Sequence, residues 1–408
     1  MLQLLELAWR NMFRNKRRTF IAGTAIGIGL AALIFSDALI IGMKENMIRT
    51  ATASFMGEGQ IHAEGYLETR EVTDTIRRPD TLLAHLREDE RVRGLAPRLT
   101  TQAMISSPAT VSPFVLWGIR PEQEAVVSQI DDALVRGDFF AGSEEGELVV
   151  GAELAELLEV DVGNRVVVTV AQVDGGLSRG LFRVSGVYRF NSKELDQGMA
   201  FVRIGEAGDM LGLRDGALHE IALTFTDDQI ARDTTHSFWS TYGRYGNRAV
   251  GWPELIPRFA AMMGMTDLSM LLMGMVLFGV VALGIINTLF MSLYDRMFEF
   301  GVLRAVGTRP RRIWLLIVFE AGALAVISGA LGVIAGFAVT LLFNQVGIDY
   351  RGIEFTGVTI QELIHPQLTI GQFTLYPLVV IALTLLVGMY PASYAARLKP
   401  AEAMRRSF

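Results

Sequence analysis

The sequence predicts an α-helical membrane protein with four transmembrane helices and a large α+β domain inserted between helices one and two. Two observations lead to this prediction. Half of the 408 residues are apolar, and long apolar runs reach the roughly 20 residues that a helix needs to cross a bilayer core. The segments that flank these runs differ sharply in their content of Arg and Lys. We place the four spans at residues 19–42, 268–293, 313–343 and 373–392.

Basic residues predict the orientation of the spans. Residues 1–18, 294–312 and 393–408 are rich in Arg and Lys, so we expect these segments and both termini to be cytoplasmic. The loop 344–372 has a single Arg and three acids and is expected outside, together with residues 43–267.

The first apolar run is longer than a typical signal-peptide core and lacks a suitable cleavage site. A retained span is therefore favoured over a cleaved signal peptide. Residues 1–18 fit an amphipathic helix on the inner membrane face, although a simple basic anchor explains their charges equally well.

Residues 43–267 contain both strand-like and helix-like patterns, which predict an α+β domain, with two lobes as one arrangement. The predicted helices are Asp80–Asp89, with Asp80 as its N-cap, Ala152–Leu158, and Trp252–Met265, which leads into span two. The predicted strands are Gly59–Tyr66, Val111–Ile119, Leu148–Val150, Arg165–Val170, Phe182–Tyr188, Met199–Val202 and Glu220–Phe225.

The sequence carries no recognisable catalytic motif. It has no GxxxxGK[ST] phosphate-binding loop, so we expect no ATP hydrolysis by this chain. His219-Glu220 is followed by Ile-Ala-Leu, which breaks an HExxH zinc motif, and there is no GxSxG elbow. The five histidines are scattered and there is no cysteine. We therefore predict no catalytic residues, no metal site and no cofactor bound by this chain.

Three polar residues lie within the predicted spans, where each needs water or a protein partner. Asp37 either reaches water at the outer interface or faces a cavity. Asn287 is expected to bond a neighbouring helix. Glu320 either pairs with a connector arginine or reaches the cytoplasmic interface. Met270 and Met273 stand in a methionine-rich stretch that suits an adaptable apolar surface for substrate, or packing against neighbouring helices.

A charged connector, residues 294–312, joins spans two and three. Leu293, Met297 and Phe300 recur at helical spacing. Gly307 suits a helix C-terminus, and Pro310 suits the first turn of the next helix. The residues alone leave two alternatives: a short helix that docks on a soluble partner, and a solvated loop.

The connector and the span after it resemble the signature of the FtsX-like ABC permease family. The matching residues are Glu299, Gly301, Leu303, Arg304, Ala305, Gly307 and Glu320, and Phe300 stands where an Ile is usual. The N-terminal stretch Ala8–Asn11 with Arg17–Thr19 and the tail Tyr390–Arg405 also resemble this family. In the inserted domain, Gly151–Asn164 resembles its GxxLAxxLxVxVGD pattern, with Asn164 replacing Asp.

This resemblance implies a permease subunit of the bacterial inner membrane that acts by mechanotransmission, with a periplasmic inserted domain. ATP and Mg would be bound by two separate ABC ATPase subunits, since the chain lacks the fused ATPase of MacB-type exporters. The other implied partners are a second permease copy or paralogue, membrane lipid and a periplasmic chaperone or adaptor; no nucleic acid is expected. The residues implied to couple to the ATPase are Asp295, Arg296, Glu299, Gly301, Leu303, Arg304, Gly307 and Arg311.

Within the family, the length of the chain and its Glu194–Val202 stretch look most like the lipoprotein-releasing (Lol-type) permeases. The implied function is extraction of a lipoprotein or another hydrophobic molecule from the outer leaflet of the inner membrane. Two alternatives remain open: tripartite efflux of a drug or peptide, and signalling to a periplasmic cell-wall hydrolase without transport.

Overall fold

The computed structural model describes residues 16–140, 146–190, 192–351, 354–355, 358–359 and 362–397. Most of the predicted N-terminal amphipathic segment and of the C-terminal tail lie outside these residues. The chain divides into two compact units. The first contains the residues up to Asn46, Met263–Tyr350 and Glu362 onward, and the second contains Met47–Met262 and Arg351–Gln361.

Four long apolar helices confirm the predicted membrane fold. They are α1 (Lys16–Ala51), α2 (Pro257–Asp295), α4 (Pro310–Val346) and α5 (Ile370–Ala396), and a shorter helix, α3 (Met297–Ala305), lies between α2 and α4. Each long helix has the length and composition to cross a bilayer. Each also extends beyond its predicted apolar run, because the helical backbone continues into the polar residues on either side.

Small residues bring α1 and α4 into close contact within the first unit. A Cβ atom on Gly27 would lie 3.2 Å from the carbonyl oxygen of Ser328, and one on Gly332 would lie 2.8 Å from the carbonyl oxygen of Gly27. Glycine pairs of this kind let two membrane helices approach closely. Gly27 and Gly332 therefore form a close seam between span one and span three.

The described part of the second unit is built on ten strands. They are β1 (Gly59–Ala63), β2 (Val92–Ser106), β3 (Val111–Ile119), β4 (Leu134–Gly137), β5 (Glu147–Gly151), β6 (Arg165–Ala171), β7 (Leu177–Tyr188), β8 (Met199–Arg203), β9 (Glu220–Phe225) and β10 (Asn247–Gly251). Two further short strands, β11 (Glu354–Phe355) and β12 (Val358–Thr359), pair with each other.

Within the described residues of this unit, nine short helices join the strands, and a π-helical turn, Thr52–Met56, precedes β1. The helices are Tyr66–Thr69, Pro79–Glu88, Pro121–Val127, Ala152–Leu158, Lys193–Gly198, Ile204–Leu211, Asp228–Arg232, Ser237–Tyr242 and Trp252–Leu255. The predicted helix Trp252–Met265 is thus interrupted at Ile256, after which Pro257 begins α2.

Strand β2 belongs to two lobes, so the inserted domain is an α+β fold of the predicted two-lobed kind. Its first half pairs with β9, which continues through β1 to β10. Its second half pairs with both β3 and β6. The pairings β3–β8, β8–β5, β5–β7 and β7–β6 then close a ring of six strands. Each lobe encloses its own apolar core.

One predicted cap is wrong. The helix Pro79–Glu88 has Arg78 as its N-cap residue, so Asp80 lies inside the first turn. Pro79 decides the start, because its fixed φ and missing N–H suit the first helical position. Asp80 still lies at the positive end of the helix dipole, where a carboxylate is favourable.

Candidate functional site

The predicted connector forms a helical hairpin. Helix α2 ends at Asp295, α3 follows at once, and α4 begins at Pro310. Helix α3 ends in a Schellman motif: the N–H of Thr308 donates to the carbonyl of Leu303 at 2.9 Å, and the N–H of Gly307 donates to that of Arg304 at 3.1 Å. Gly307 has a φ of +98°, which glycine adopts without strain. The connector is therefore an ordered helix, and Gly307 ends it as predicted.

The inner side of the hairpin packs on the membrane helices. Leu293, Met297 and Phe300, the residues at helical spacing, are all buried. They form one cluster with residues of α4 and α5, namely Ile313, Leu316, Ile317, Ala392 and Ala395. A movement of α3 would therefore be passed to α4 and α5 through direct side-chain contact.

Arg296 fastens the hairpin to span three. Its guanidinium donates to both carboxylate oxygens of Glu320, at 2.9 and 3.2 Å, and to Glu299 at 3.2 Å. It also lies over the ring of Phe300, 5.2 Å from the centroid. Arg296 and Glu320 are both largely buried. The structure thus agrees with the first of the two alternatives for Glu320, pairing with a connector arginine, and that arginine is Arg296.

The outer side of α3 presents apolar side chains. Phe298, Val302, Leu303 and Val306 are exposed, Val306 by 83%. Two of the predicted coupling residues, Asp295 and Arg311, are exposed next to this surface, whereas Gly301 is buried. Arg304 is half-buried and donates to the carbonyl of Thr308 at 3.4 Å. We call Phe298, Val302, Leu303 and Val306 the apolar outer face of α3.

The polar residues of the spans have different surroundings. Asp37 accepts a hydrogen bond from the side chain of Gln372 on α5 at 2.9 Å, and Gln372 is buried. Asp37 therefore contacts protein. Asn287 is exposed on α2, and its side chain has no hydrogen-bond partner among the described residues. The expected bond to a neighbouring helix is absent there, because no helix of the described residues packs on the side of α2 that carries Asn287.

The two methionines predicted to face substrate, Met270 and Met273, are half-buried on α2. Met265 and Met275, in the same stretch, are more exposed. The apolar surface that α2 leaves uncovered is therefore carried by these neighbours and by leucines and valines, among them Leu268, Leu271, Leu272, Val276, Val280 and Leu283.

Sequence reasoning missed a buried ionic network in the second unit. Arg98, at the point where β2 passes from one lobe to the other, is completely buried. Its guanidinium donates to Glu124 at 2.5 and 2.9 Å and to Glu220 at 2.5 Å. It also donates to the carbonyl of Phe55 at 2.6 Å and lies 3.9 Å from the centroid of that ring.

This network joins four separate pieces of the domain. Glu124 lies on the helix Pro121–Val127, Glu220 begins β9, and Phe55 belongs to the π-helical turn that follows α1. Burial raises the pKa of Glu220, and the Arg98 charge opposes that effect. No local pattern in the sequence announces the network. The available signal was Glu220, a charged residue at the start of a predicted strand; Arg98 and Glu124 lie outside the predicted strands and helices.

A stack of three rings lies beside this network. Tyr66 lies between His62 and His219, with ring centroids 5.4 Å apart in each pair. Burial lowers the pKa of His62 from 6.5 to about 3 and also lowers that of His219. Both imidazoles are therefore neutral near pH 7 and act as hydrogen-bonding parts of the core. Among the described residues no group of acids and histidines is arranged to hold a metal ion.

The fold and the hairpin define a class of protein, a four-span membrane protein with a large mixed-sheet domain inserted after its first span. Residues 19–235, more than half of the chain, match the MacB-like periplasmic core domain. Residues 271–400 match the FtsX-like permease C-terminal domain. The chain belongs to this family of FtsX-like permeases with a MacB-like periplasmic core, and it is an ABC transporter permease of the LolC/LolE and MacB type.

Two relatives match along most of the chain, and a third matches a shorter part. The lipoprotein-releasing system transmembrane protein LolE of Haemophilus influenzae is 23% identical, over 98% of each chain. LolC of Neisseria meningitidis is 22% identical over 95% of this chain and 94% of its own. The macrolide export ATP-binding/permease protein MacB of Bdellovibrio bacteriovorus is 32% identical over 30% of this chain and 16% of its own.

Among solved structures, the periplasmic region of MacB from Actinobacillus actinomycetemcomitans is similar over 51% of this chain and 94% of its own. The sequence identity is 12% and the TM-score is 0.35.

Proposed function

We propose that this chain is the permease subunit of a mechanotransmitting ABC transporter of the bacterial inner membrane, with both termini in the cytoplasm. Two separate ATPase subunits bind ATP and Mg and dock on α3, and a second permease copy or paralogue completes the complex. Closure of the ATPase pair moves the membrane helices, and these helices move the periplasmic domain.

The observation that supports this proposal is the two-sided hairpin. The apolar outer face of α3 is uncovered, whereas its inner side packs on α4 and α5 and is fastened through Arg296 and Glu320. An exposed apolar helix face beside charged residues suits docking into a groove of a soluble protein. A displacement of α3 would be transmitted directly to α4 and α5, because densely packed side chains transmit strain.

Substitution of the outer face tests the proposal. With its ATPase subunits present, Phe298→Ala with Leu303→Ala should weaken ATPase binding by about thirtyfold or more and lower substrate-stimulated ATPase activity accordingly, because interface anchors of this size each contribute about 1–2 kcal/mol. Val326→Ala, an equally apolar and exposed change on α4, is the control and should have no effect. Equal activity of the double variant and the wild type would contradict docking at α3.

Charge reversal gives a second test at the hairpin. Glu299→Lys adds a second cation beside Arg296, which Glu299 now contacts at 3.2 Å. Coupling between substrate and ATP hydrolysis should fall, while the amount of folded protein should stay the same because Glu299 is half-exposed. If neither Glu299→Lys nor Arg304→Glu changes the coupling between substrate and ATP hydrolysis, these two residues take no part in transmitting movement from the ATPase to the spans.

We further propose that the substrate is a lipoprotein or another lipid-anchored molecule in the outer leaflet. Support comes from LolE and LolC, lipoprotein-releasing system transmembrane proteins that match this chain over nearly its full length, and from the exposed apolar residues along α2. Mass spectrometry of material that copurifies with an ATPase-inactive complex tests this. Bound lipoprotein is the expected result. An outer-membrane channel or a cell-wall hydrolase recovered in its place would favour efflux or signalling instead.

A further inference from the structure

A cavity of about 560 Å³ opens on the second unit, away from the network around Arg98. One wall is the helix Pro79–Glu88 with the two arginines before it, and the other is the helix Ser237–Tyr242 with the loop that follows it. The cavity is lined by Arg77, Arg78, Thr81, Leu82, His85, Glu88, Asp89, Thr241, Tyr242, Arg244, Tyr245 and Asn247. Its volume lies in the range of small-molecule and peptide pockets, about 300–1,000 Å³.

The lining carries an excess of positive charge. Arg77, Arg78 and Arg244 come from both walls, and none of them forms an ion pair with a carboxylate in the described part of the chain. Asp89 does not balance them. It already accepts from Arg91 at 2.7 Å and from the hydroxyl of Tyr242 at 2.8 Å.

The acid that remains in the lining is Glu88, which is exposed. Three arginines therefore line one cavity that has a single uncommitted carboxylate, and this excess of positive charge makes the cavity complementary to an anionic ligand.

The rim of the cavity is fixed in an unusual backbone conformation. Arg78 has a φ of +53° and Tyr245 a φ of +59°, and residues with side chains rarely adopt this left-handed region. The guanidinium of Arg78 lies over the Tyr245 ring, 5.3 Å from its centroid. Asn247 holds the two walls together: its side chain accepts from the N–H of Arg77 at 2.8 Å and donates to its carbonyl at 3.0 Å. Backbone strain that surrounding contacts maintain is typical of ligand sites.

We propose that this cavity binds an acidic peptide segment of a partner protein, with Arg77 and Arg244 holding its carboxylates. Guanidinium groups bind carboxylates with two parallel hydrogen bonds, and Tyr242, Tyr245 and Leu82 supply apolar walls for the rest of a side chain. Glu88 favours a peptide over a phosphate group, because a peptide carries N–H donors for Glu88 as well as carboxylates for the arginines, whereas a phosphate dianion has no donor to offer.

This site goes beyond the proposed transport function and does not depend on it, since binding at the cavity requires neither nucleotide nor the hairpin. The test uses the full-length chain in nanodiscs of phosphatidylcholine without ATP. The probe is a fluorescein-labelled hexaglutamate peptide, and binding is followed by fluorescence anisotropy at low ionic strength.

The charge-reversed variant Arg77→Glu with Arg244→Glu should weaken binding by about tenfold or more, because two charge-assisted contacts become repulsive. The control is Arg87→Glu, an exposed arginine of the same helix that does not line the cavity. It should bind the probe nearly as well as the wild type. Tyr245→Ala, which changes no charge, should weaken binding by about threefold through the lost aromatic wall.

Three results would overturn the proposal. The first is that the wild type does not bind the peptide. The second is that Arg87→Glu weakens binding as much as the double reversal, which would mean that only overall charge matters. The third is displacement of the peptide by inorganic phosphate and not by acetate, which would assign the cavity to a phosphate group. Unchanged thermal unfolding of all variants, whose altered side chains are exposed, would show that a loss of binding is local.

Discussion

Removal of the Arg98 side chain is expected to be strongly destabilising. Arg98→Met keeps much of the side-chain volume but leaves Glu124 and Glu220 buried side by side without a cation, and the carbonyl of Phe55 loses a donor at 2.6 Å. Breaking a buried ion pair by removing one partner costs about 3–5 kcal/mol. A domain of this size loses about 2–4 °C of melting temperature for each kcal/mol. We therefore expect the melting temperature of the inserted domain to fall by about 10 °C.

Tryptophan fluorescence of the purified full-length protein during heating provides the assay, because Trp117, Trp239 and Trp252 all lie in the inserted domain. The control is Arg136→Met, which removes a half-exposed arginine from its ion pair with Asp161 at 3.2 Å. An exposed pair contributes about 0–1 kcal/mol, so the melting temperature of Arg136→Met should stay close to that of the wild type.

Replacement of the whole network separates lost charge pairing from lost packing. The triple variant Arg98→Met, Glu124→Met and Glu220→Met removes every uncompensated charge and should recover most of the stability, since a well-packed apolar core can replace buried ions. At acid pH the difference in stability between Arg98→Met and the wild type should become smaller, because protonation neutralises the carboxylates of Glu124 and Glu220. A loss below about 1 kcal/mol in Arg98→Met, or equal losses in the single and triple variants, would refute the reasoning.

Three further predictions follow from contacts described above. His62 is buried with its pKa lowered from 6.5 to about 3, so below pH 6.5 the unfolded chain binds a proton that the folded chain does not, and stability falls as the pH falls. Between pH 7 and pH 5 the inserted domain should lose about 2 kcal/mol through this residue, as measured by urea unfolding; the same pH slope in His62→Gln would contradict the assignment. In the seam between spans one and three, Gly332→Ala should lower the thermal stability of the membrane unit, because the new Cβ would lie 2.8 Å from a backbone oxygen, whereas Gly329→Ala, with nothing within 4 Å, should be tolerated. At the hairpin, Glu320→Arg should abolish coupled ATPase activity, and the exchange Arg296→Glu with Glu320→Arg should restore part of it; no rescue by the exchange would show that their 2.9 Å pair is not the required contact.

The parts of the fold that depend on local pattern could be predicted from the sequence. Apolar run length located the four spans, alternation located Val111–Ile119, and Gly307 marked the end of α3. These features are encoded within about 20 consecutive residues. The prediction that Asp80 caps its helix was wrong for a local reason as well, because Pro79 occupies the first helical position and the helix therefore starts before Asp80.

Features that depend on distant parts of the chain could not be predicted. Arg98, Glu124 and Glu220 are far apart in the sequence, and each sits in a segment where a charge suggests solvent exposure. Their burial follows only from the path of β2 through both lobes. The hairpin could be predicted from the sequence in part. Its helix was visible in the sequence, but the choice of Arg296 as the partner of Glu320 required the packing of α3 on α4.

The position of β1 in its lobe constrains the order of synthesis and folding. This early strand pairs on one side with β9 and on the other with β10, where Gly59 lies opposite Gly251. Both partners leave the ribosome long after β1, and β10 is followed almost at once by the start of α2 at Pro257. A nascent chain therefore carries β1 with both edges unpaired through the synthesis of nearly the whole domain, a state that invites aggregation. The last strand completes this lobe as the second span is about to emerge, so completion of the sheet and insertion of that span become nearly simultaneous steps.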